Sequence, residues 1–487
     1  MSRARDLADS ADKDIAGTLT LDGLDVAGNV SVDGGTIKLD GNYPTGTGNV
    51  ALGDAALDSV ETGGNHNVAI GNSAGTAITT GDNNIGIGSS ALGSNTTGGQ
   101  NVAVGDNALL SNVSGLRNTA VGFWSLRLST GEGNTAVGYG GLAQSTGTAN
   151  TAVGRSALTA STTASYNTAV GYLTLNSNTT ANGNTAVGYY TSNLNTTGTF
   201  NTSNGYRAMR YNTTGGYNTA LGGDALYSNT TASYNTAVGY QSLYGNTTGY
   251  QNTSVGYFSM KNNTVTGNRN TSLGSYSLYN LSSGIENVAI GTSSMDTNST
   301  GSYNSALGRD ALKYNATGSY NTAVGNGSLR SSTADYNTAV GYQAGYSNTT
   351  GSPYTFIGYQ AGYGQTAGTG GGTALGYRAL YASGGPVGNT AIGHQSMYNT
   401  TNLGDYNTAL GHQTLYSNTT GKRNTVIGYG SSFYNSTGSY NVAVGMDALS
   451  SNTTANNNTV VGYQAMFSNT TGSINTAFGY QALYGNT

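Results

Sequence analysis

The sequence predicts an all-β solenoid, a parallel β-roll of about 26 coils with a repeat of about 17 residues. Three observations support this fold class. A glycine recurs every 16 to 18 residues from Gly53 to Gly479 without one miss, and apolar residues recur at fixed offsets from it. The segments around the glycines are rich in β-branched residues and tyrosine, which favour strands, and they contain too much glycine for helices.

The fullest copies of the repeat read Asn-Thr-Ala-Val-Gly-Tyr-Gln-Ala-Leu-Tyr-Ser-Asn-Thr-Thr-Gly-Ser-Tyr. We number these positions 1 to 17 and keep position 17 for the residue that precedes the next copy. Residues 49–487 form the repeat domain, and the chain stops in the Asn-Thr-Thr turn of the last copy. We therefore expect the last coil to be incomplete, and a further segment or another protein to cover that end.

Each element of the coil follows from its residues. The invariant glycine at position 5 ends the first strand, and its invariance indicates a positive φ or a backbone contact that leaves no room for a Cβ. Asn-Thr-Thr-Gly at positions 12 to 15 is typical of a turn, since Asn hydrogen-bonds its own backbone. Examples of this glycine from both ends and the middle of the repeat domain are Gly53, Gly71, Gly239, Gly341 and Gly479.

Positions 4 and 9 are the predicted interior. Position 4 is aliphatic or aromatic in all copies except at Asn204, and position 9 is Leu or Met in most. Positions 3 and 8 carry small residues, which we expect to let another chain approach closely. Two apolar side chains per coil bury too little surface to offset the entropy of ordering 17 residues, so the sequence predicts an obligate homo-oligomer, most simply a homotrimer.

Residues 1–48 differ from the repeats and are predicted to be an attachment segment. Residues 1–40 hold 12 of the 38 charged side chains of the chain. A short helix at 3–11 and short strands within 17–40 are expected, followed by a Gly/Pro connector up to residue 48. The N-terminus lacks the apolar region of a secretory signal, so we expect neither export by the general route nor a membrane anchor.

Composition excludes several classes of function. A net charge of -4, only 8% charged residues and no Lys/Arg cluster argue against nucleic-acid binding. No cysteine is available for disulfides or thiolate metal sites. Residues 49–487 contain only 13 acidic side chains, and Asp224, Asp310 and Asp447, all at position 7, lie several coils apart. A carboxylate pair for glycoside hydrolysis is therefore not expected, and we predict a protein that is not an enzyme and needs no cofactor.

Some repeat positions carry candidate binding residues. His394 and His412 occupy position 6 of consecutive coils and should stack about 4.8 Å apart, which suits a metal site or a simple replacement of the usual tyrosine. Tyrosines at positions 6, 10 and 17 should form aromatic stripes for contact with a neutral glycan, or for stiffening the stack. The candidates for glycan contact are Tyr234, Tyr240, Tyr244, Tyr342 and Tyr346.

Three further patterns favour structural interpretations. The Asn-Thr-Thr triplets match N-glycosylation acceptors, yet they are also turn residues. Adjacent threonines at positions 13 and 14 point to opposite sides of a strand, which disfavours an ice-binding face. Trp124, the only tryptophan, lies at position 7 and is interpreted as a local packing variant.

The repeat resembles the head repeats of trimeric autotransporter adhesins. The resemblance lies in Asn-Val-Ala-Ile-Gly at residues 67–71 and 287–291 and Asn-Val-Ala-Val-Gly at residues 101–105 and 441–445, each followed by a small residue three positions on. It covers residues 49–487, although the coil here is longer, about 17 residues against about 14. The resemblance implies left-handed β-rolls in which three chains lie side by side.

The chain also resembles bacteriophage tail fibre proteins, through the repeat and through Met-Ser-Arg-Ala-Arg-Asp-Leu-Ala-Asp at residues 1–9 with Gly-Thr-Leu-Thr-Leu-Asp-Gly at residues 17–23. This resemblance implies a virion protein assembled in the host cytoplasm. Tail or baseplate proteins would bind residues 1–48, and a host-surface glycan or protein would be the receptor. The alternative is an adhesin head on a bacterial surface, binding host surface or matrix.

Overall fold

The computed structural model describes residues 46–368, 370–382, 384–385, 387–400 and 404–486. The helix and strands expected within residues 1–40, and most of the connector that follows them, lie outside the described residues, and the domain boundary at 48/49 stays a prediction. All the described residues belong to the unit Asn42–Thr487.

The repeat folds as a β-solenoid. Each copy contributes one short strand, which spans positions 2 to 4 in most coils and positions 1 to 4 in coils 19 to 21. No helix occurs within the part of the chain that the structure describes. We call the repeat that contains strand βn coil n. The strands are β1 (Val50–Leu52), β2 (Val68–Ile70), β3 (Ile85–Ile87), β4 (Val102–Val104), β5 (Thr119–Val121), β6 (Thr135–Val137), β7 (Thr151–Val153), β8 (Thr168–Val170), β9 (Thr185–Val187), β10 (Thr202–Asn204), β11 (Thr219–Leu221), β12 (Thr236–Val238), β13 (Thr253–Val255), β14 (Thr271–Leu273), β15 (Val288–Ile290), β16 (Ser305–Leu307), β17 (Thr322–Val324), β18 (Thr338–Val340), β19 (Tyr354–Ile357), β20 (Gly372–Leu375), β21 (Asn389–Ile392), β22 (Thr408–Leu410), β23 (Thr425–Ile427), β24 (Val442–Val444), β25 (Thr459–Val461) and β26 (Thr476–Phe478).

The strands form one parallel sheet in which each strand pairs with that of the next coil. The register pairs each strand residue with the residue at the same repeat position of the adjacent coil. Ala51 lies opposite Ala69, for example, and Ala220 opposite Ala237. Backbone hydrogen bonds between coils continue beyond the strands, as where the N–H of Leu57 donates to the carbonyl of Ala74 at 3.1 Å. The predicted fold class, a parallel solenoid of about 26 coils with a period of about 17 residues, is confirmed.

The interior differs from the sequence prediction at position 4. The side chain at position 3 is buried, as at Ala69 and Ala220, whereas Leu52 and Leu307 at position 4 are 44% and 50% exposed. The prediction that position 4 is an interior position is wrong, because successive strand residues face opposite sides and position 3 faces inward. The small residues at positions 3 and 8 are likewise not a surface for another chain, since they pack inside against the Leu or Met of position 9.

Two ladders of buried asparagines complete the interior. At position 1, Asn84 donates its backbone N–H to Oδ1 of Asn67 at 3.0 Å and its Nδ2 to the carbonyl of Gly98 at 2.9 Å. At position 12, Asn112 donates its Nδ2 to Oδ1 of Asn95 at 3.0 Å. Buried amides are tolerated because such bonds satisfy them. The coils are therefore joined through their interior side chains as well as through their backbones.

The position 5 glycines have both of the features that would require glycine. Gly239 has a φ of 124°, and a Cβ built on it would lie 2.5 Å from the backbone oxygen of Gly256 in the next coil. The same geometry holds at Gly53, Gly71 and Gly341, with φ values of 130°, 132° and 136°. At Gly479, in the last coil, φ is 126° and a Cβ would meet nothing within 4 Å. Only glycine adopts this backbone conformation without strain.

Candidate functional site

The aliphatic residues of position 4 form an exposed apolar stripe along the outer face of the sheet. We call it the position 4 stripe, and several of its side chains are more than a third exposed. These are Leu52, Ile70, Ile87, Val121, Val137, Leu221, Leu273, Leu307, Val340, Ile357, Leu375, Leu410 and Phe478. Single exposed aliphatic residues are common on proteins, whereas an exposed apolar row that recurs in coil after coil is typical of a contact surface.

Aromatic rings form three further rows at positions 6, 10 and 17. In coils 18 to 23 the rows at positions 6 and 10 run together, from Tyr342 to Tyr429 and from Tyr346 to Phe433. Neighbouring rings in these rows are nearly parallel, with centroids 4.7 to 5.2 Å apart. Desolvation in the row raises the pKa of Tyr363 and of Tyr398.

The structure distributes the five candidate tyrosines over all three rows. Each stacks on a ring of an adjacent coil: Tyr234 on Tyr217, Tyr240 on Tyr257, Tyr244 on Tyr227, Tyr342 on Tyr359 and Tyr346 on Tyr363, at 5.0 to 5.8 Å. In each of these pairs one face of the tyrosine lies against a ring of the adjacent coil, and Tyr234, Tyr240 and Tyr342 remain 58%, 47% and 44% exposed. The stacking supports the stiffening role, and glycan contact at the five residues stays a prediction.

His394 and His412 stack at a centroid distance of 4.7 Å with an interplanar angle of 3°, close to the spacing predicted from sequence. Tyr377 and Tyr429 continue the row on either side at 4.9 and 5.0 Å. Equivalent nitrogens of two parallel rings lie about one stacking distance apart, which is too far for both to bind one zinc ion at about 2.0–2.1 Å. The described residues contain no group of three or more His, Cys, Asp or Glu side chains arranged for a metal ion.

Two of the three position 7 carboxylates, those of Asp224 and Asp310, bind cations. Asp224 is buried and accepts two hydrogen bonds from the guanidinium of Arg207 in the preceding coil, at 2.9 and 3.0 Å. Asp310 binds Lys313 at 2.9 Å. These contacts fit ion pairs that hold neighbouring side chains in place.

The Asn-Thr-Thr triplets have an interior role. Their asparagines at position 12, such as Asn178, Asn348 and Asn418, are fully buried. Asn178 donates Nδ2 to the carbonyl three residues on, at 3.0 Å, and so closes the turn that the sequence predicts. A buried amide nitrogen is inaccessible to a glycosylating enzyme in the folded chain, so the turn interpretation accounts for the motif.

Trp124 borders a notch in the surface that sequence reasoning did not identify. The notch has a volume of about 270 Å³ and is also lined by Arg127, Tyr139 and Gly140. One sequence signal could have revealed the notch. Trp124 occupies position 7 of coil 5 and Gly140 occupies the same position of coil 6, so the row of position 7 side chains is interrupted at Gly140.

Comparison with known proteins identifies no relative: no family model and no curated protein matches this chain. Across the described ranges, no helix is both long enough and apolar enough to cross a bilayer. The functional argument therefore depends on the surfaces themselves, which are the position 4 stripe, the stacked aromatic rows and the notch beside Trp124.

Proposed function

We propose that the chain is a structural fibre protein of a phage tail. In this proposal three copies form a homotrimer of left-handed β-rolls, which acts as a rigid, non-enzymatic spacer between a virion attachment point and the host surface. Residues 1–48 bind other tail or baseplate proteins, and the protein is assembled in the host cytoplasm. The receptor is a glycan or a protein on the host surface, and neither nucleic acid nor membrane insertion is involved.

The position 4 stripe carries the proposal. Its apolar side chains stand outside a fold whose interior is already filled, so they lose no water unless another surface covers them. A covering surface must present apolar groups at the spacing of the coils along the whole stack, about 4.8 Å per strand. Further copies of the same chain have this spacing in register, which favours the chain itself as the occupant.

Light scattering coupled to size-exclusion chromatography tests the homotrimer. The full chain is expected to elute at three times the 49.3 kDa of one copy. Replacing Leu273 and Leu307 together by lysine places two charges in each copy of the apolar contact and should yield monomers. The matched control replaces Ser283 and Thr317, exposed at position 14 of the same two coils, by lysine and should stay trimeric. A trimeric L273K/L307K variant, or a monomeric wild-type chain, would overturn the proposed contact.

Electron microscopy with an antibody against residues 1–48 tests the biological setting. Labelling on virion tails is the expected result. The alternative function is a trimeric adhesin head on a bacterial surface, which the Asn-Val-Ala-Ile-Gly repeats of residues 67–71 and 287–291 favour. Labelling of bacterial envelopes and not of virions would reject the phage proposal and support the adhesin.

A further inference from the structure

In coil 6 the outward rows at positions 7 and 10 both carry a small residue. Trp124 and Arg127 hold these positions in coil 5, and Gly140 and Ala143 hold them in coil 6. A Cβ built on Gly140 would meet nothing within 4 Å, so the space beside the indole is open. The resulting notch of about 270 Å³ is continuous with Thr159 of coil 7.

Coil 13 shows the same two positions where the next coil carries large side chains. Phe258 and Lys261 stand at the same two positions, with the Lys261 Nζ 4.7 Å from the centre of the phenylalanine ring. The next coil supplies Tyr276 and Tyr279, whose rings lie 5.5 and 6.3 Å from that of Phe258. An aromatic residue beside a cation is therefore an ordinary packing pair in this solenoid. The opening at Trp124 exists because the next coil has only Gly140 and Ala143 at positions 7 and 10.

The walls of the notch combine aromatic surface with polar groups. Trp124 and Tyr139 are 36% and 46% exposed, and their ring centroids lie 6.0 Å apart. The guanidinium carbon of Arg127 lies 4.9 Å from the centre of the indole, which holds the cation at the wall. Its Nε is buried and has no hydrogen-bond partner among the described residues. Gln144 and Ser156 add an amide and a hydroxyl.

The charge around the notch is positive. Coils 5 to 7 contain only three charged side chains, those of Arg127, Glu132 and Arg155. Glu132 is paired with Arg117 at 3.6 Å, whereas the guanidinium of Arg155 lies 5.7 Å from the centre of the Tyr139 ring. An anionic group entering the notch therefore meets the cation of Arg127, with Arg155 beside the neighbouring tyrosine. Arginine binds carboxylates through paired hydrogen bonds, which favours such a group over a neutral one.

We propose that the Trp124 notch binds an acidic saccharide, with one pyranose that carries a carboxylate seated in it. The apolar C–H face of the sugar packs against Trp124, with Tyr139, which is stacked on Phe123 at 5.6 Å, at the side of the notch. The carboxylate of the sugar binds Arg127, and its hydroxyls exchange hydrogen bonds with Gln144 and Ser156. The volume, about 270 Å³, lies just below the roughly 300–1,000 Å³ typical of small-molecule sites and suits a single sugar unit of a longer chain.

This site goes beyond the spacer role and does not depend on it. The residues that line it belong to positions 6, 7, 10 and 11 of three coils, and none belongs to position 4. A trimer formed through the position 4 stripe therefore uses other side chains. Binding can be measured on the isolated full chain, whatever structure the chain belongs to in nature.

Trp124 provides its own reporter, because it is the only tryptophan of the 487 residues. Selective excitation of the indole in the full chain is followed during titration with oligosaccharides that contain hexuronate or sialate units. The same oligosaccharides with each carboxyl reduced to a hydroxymethyl group serve as neutral probes. A saturable change is expected with the acids, and binding about tenfold or more weaker with the reduced probes.

Gly140→Gln is the decisive variant. Glutamine is common at position 7, where Gln241 and Gln343 have φ values of 51° and 52°, close to the 60° of Gly140, so the coil tolerates it while its side chain fills the notch. The matched control is Gly327→Gln, at the same position of coil 17 with a φ of 65°. Circular dichroism checks that both variants keep the fold.

The proposal expects G140Q to abolish the saturable change and G327Q to retain it. Arg127→Gln should remove the preference for the acidic probes over the reduced ones, as measured by calorimetry. Three outcomes would overturn the proposal: no saturable response to any carboxylated probe at millimolar concentration, equal affinity for acidic and reduced probes, or unchanged binding by G140Q.

Discussion

The core of coil 19 offers a sharp test of how this interior is packed. Phe356 takes position 3, where most coils have alanine, and it is fully buried. The ring fits because position 9 is glycine both in its own coil, at Gly362, and in the preceding coil, at Gly345. A Cβ built on Gly362 would approach the ring far more closely than any real contact, and one on Gly345 would lie 2.6 Å from it.

We predict that Phe356→Ala and Gly362→Leu compensate each other. Phe356→Ala alone leaves a cavity and should cost about 3–5 kcal/mol. Gly362→Leu alone forces the leucine against the ring and should cost about 1–3 kcal/mol or more. The backbone is no obstacle, since Gly362 has a φ of 63° and Leu380 at the same position of the next coil has 54°. The double variant restores the usual Ala–Leu pair and should be less destabilised than Phe356→Ala alone.

Hydrogen exchange resolved by peptide is the suitable assay, because a solenoid opens locally and its stability is a sum over neighbouring coils. Phe356→Ala should accelerate exchange in coils 18 to 20 by about a hundredfold to several thousandfold, if 1.4 kcal/mol corresponds to tenfold. Peptides of coil 8 serve as the internal control and should not change. Additive effects of the two substitutions, with the double variant worse than either single one, would refute this account of the packing.

Three further predictions concern the backbone, the buried amides and pH. Gly239→Val should hinder assembly, with damage spreading to the adjacent coils, because a Cβ at this residue would lie 2.5 Å from a backbone oxygen. The control Gly133→Asn, at position 17 with open space around its Cβ, should melt like the wild-type protein. Unchanged melting of the valine variant would contradict the prediction. Asn218→Leu removes the Oδ1 that accepts the N–H of Asn235 at 2.9 Å and should cost about 1–3 kcal/mol by leaving that donor buried and unpaired; faster exchange of Asn235 and its neighbours is the measurement. Asp296→Asn should raise the melting temperature at neutral pH. Desolvation by burial raises the pKa of Asp296 above 3.8, against a smaller opposing effect of Lys313 and with a further increase from Asp310, so its ionised form destabilises the fold as pH rises through the folded pKa. The advantage of the variant should disappear below about pH 3.8, and an equal advantage at all pH values would disprove the assignment.

The sequence was sufficient for the period, the strand class and the need for glycine at position 5, because these depend on local chemistry repeated many times. It misled at position 4, since hydrophobicity alone does not say which face of a strand is inside. It also gave no sign that residues at positions 7 and 9, such as Gln241 and Leu380, adopt φ values of 51° and 54°. Such residues rarely take this conformation on their own. Hydrogen bonds to the adjacent coils hold it here, as between the N–H of Leu380 and the carbonyl of Ser396 at 2.9 Å.

The candidate sites also differ in how far the sequence predicts them. The stacking of His394 on His412 at 4.7 Å follows from the repeat spacing and could be calculated in advance. The notch beside Trp124 could not, because it arises from a missing side chain, that of Gly140, and shows itself only when neighbouring coils are superposed. In a solenoid, the residue to examine is therefore the exception to a row together with the residue at the same position of the next coil.

The width of the interior connects the fold to the proposed assembly. One alanine at position 3 facing one leucine at position 9, flanked by two asparagine ladders, fills the coil, so a valine or isoleucine at position 4 has no space inside. Where a larger side chain does enter the core, as at Phe356, glycines at residues 345 and 362 remove the leucines that would occupy the space. The aliphatic residues of position 4 therefore do not fill the interior of one chain, and a second apolar surface of the same period would give their exposure along the stack a physical reason, which is the ground of the proposed contact.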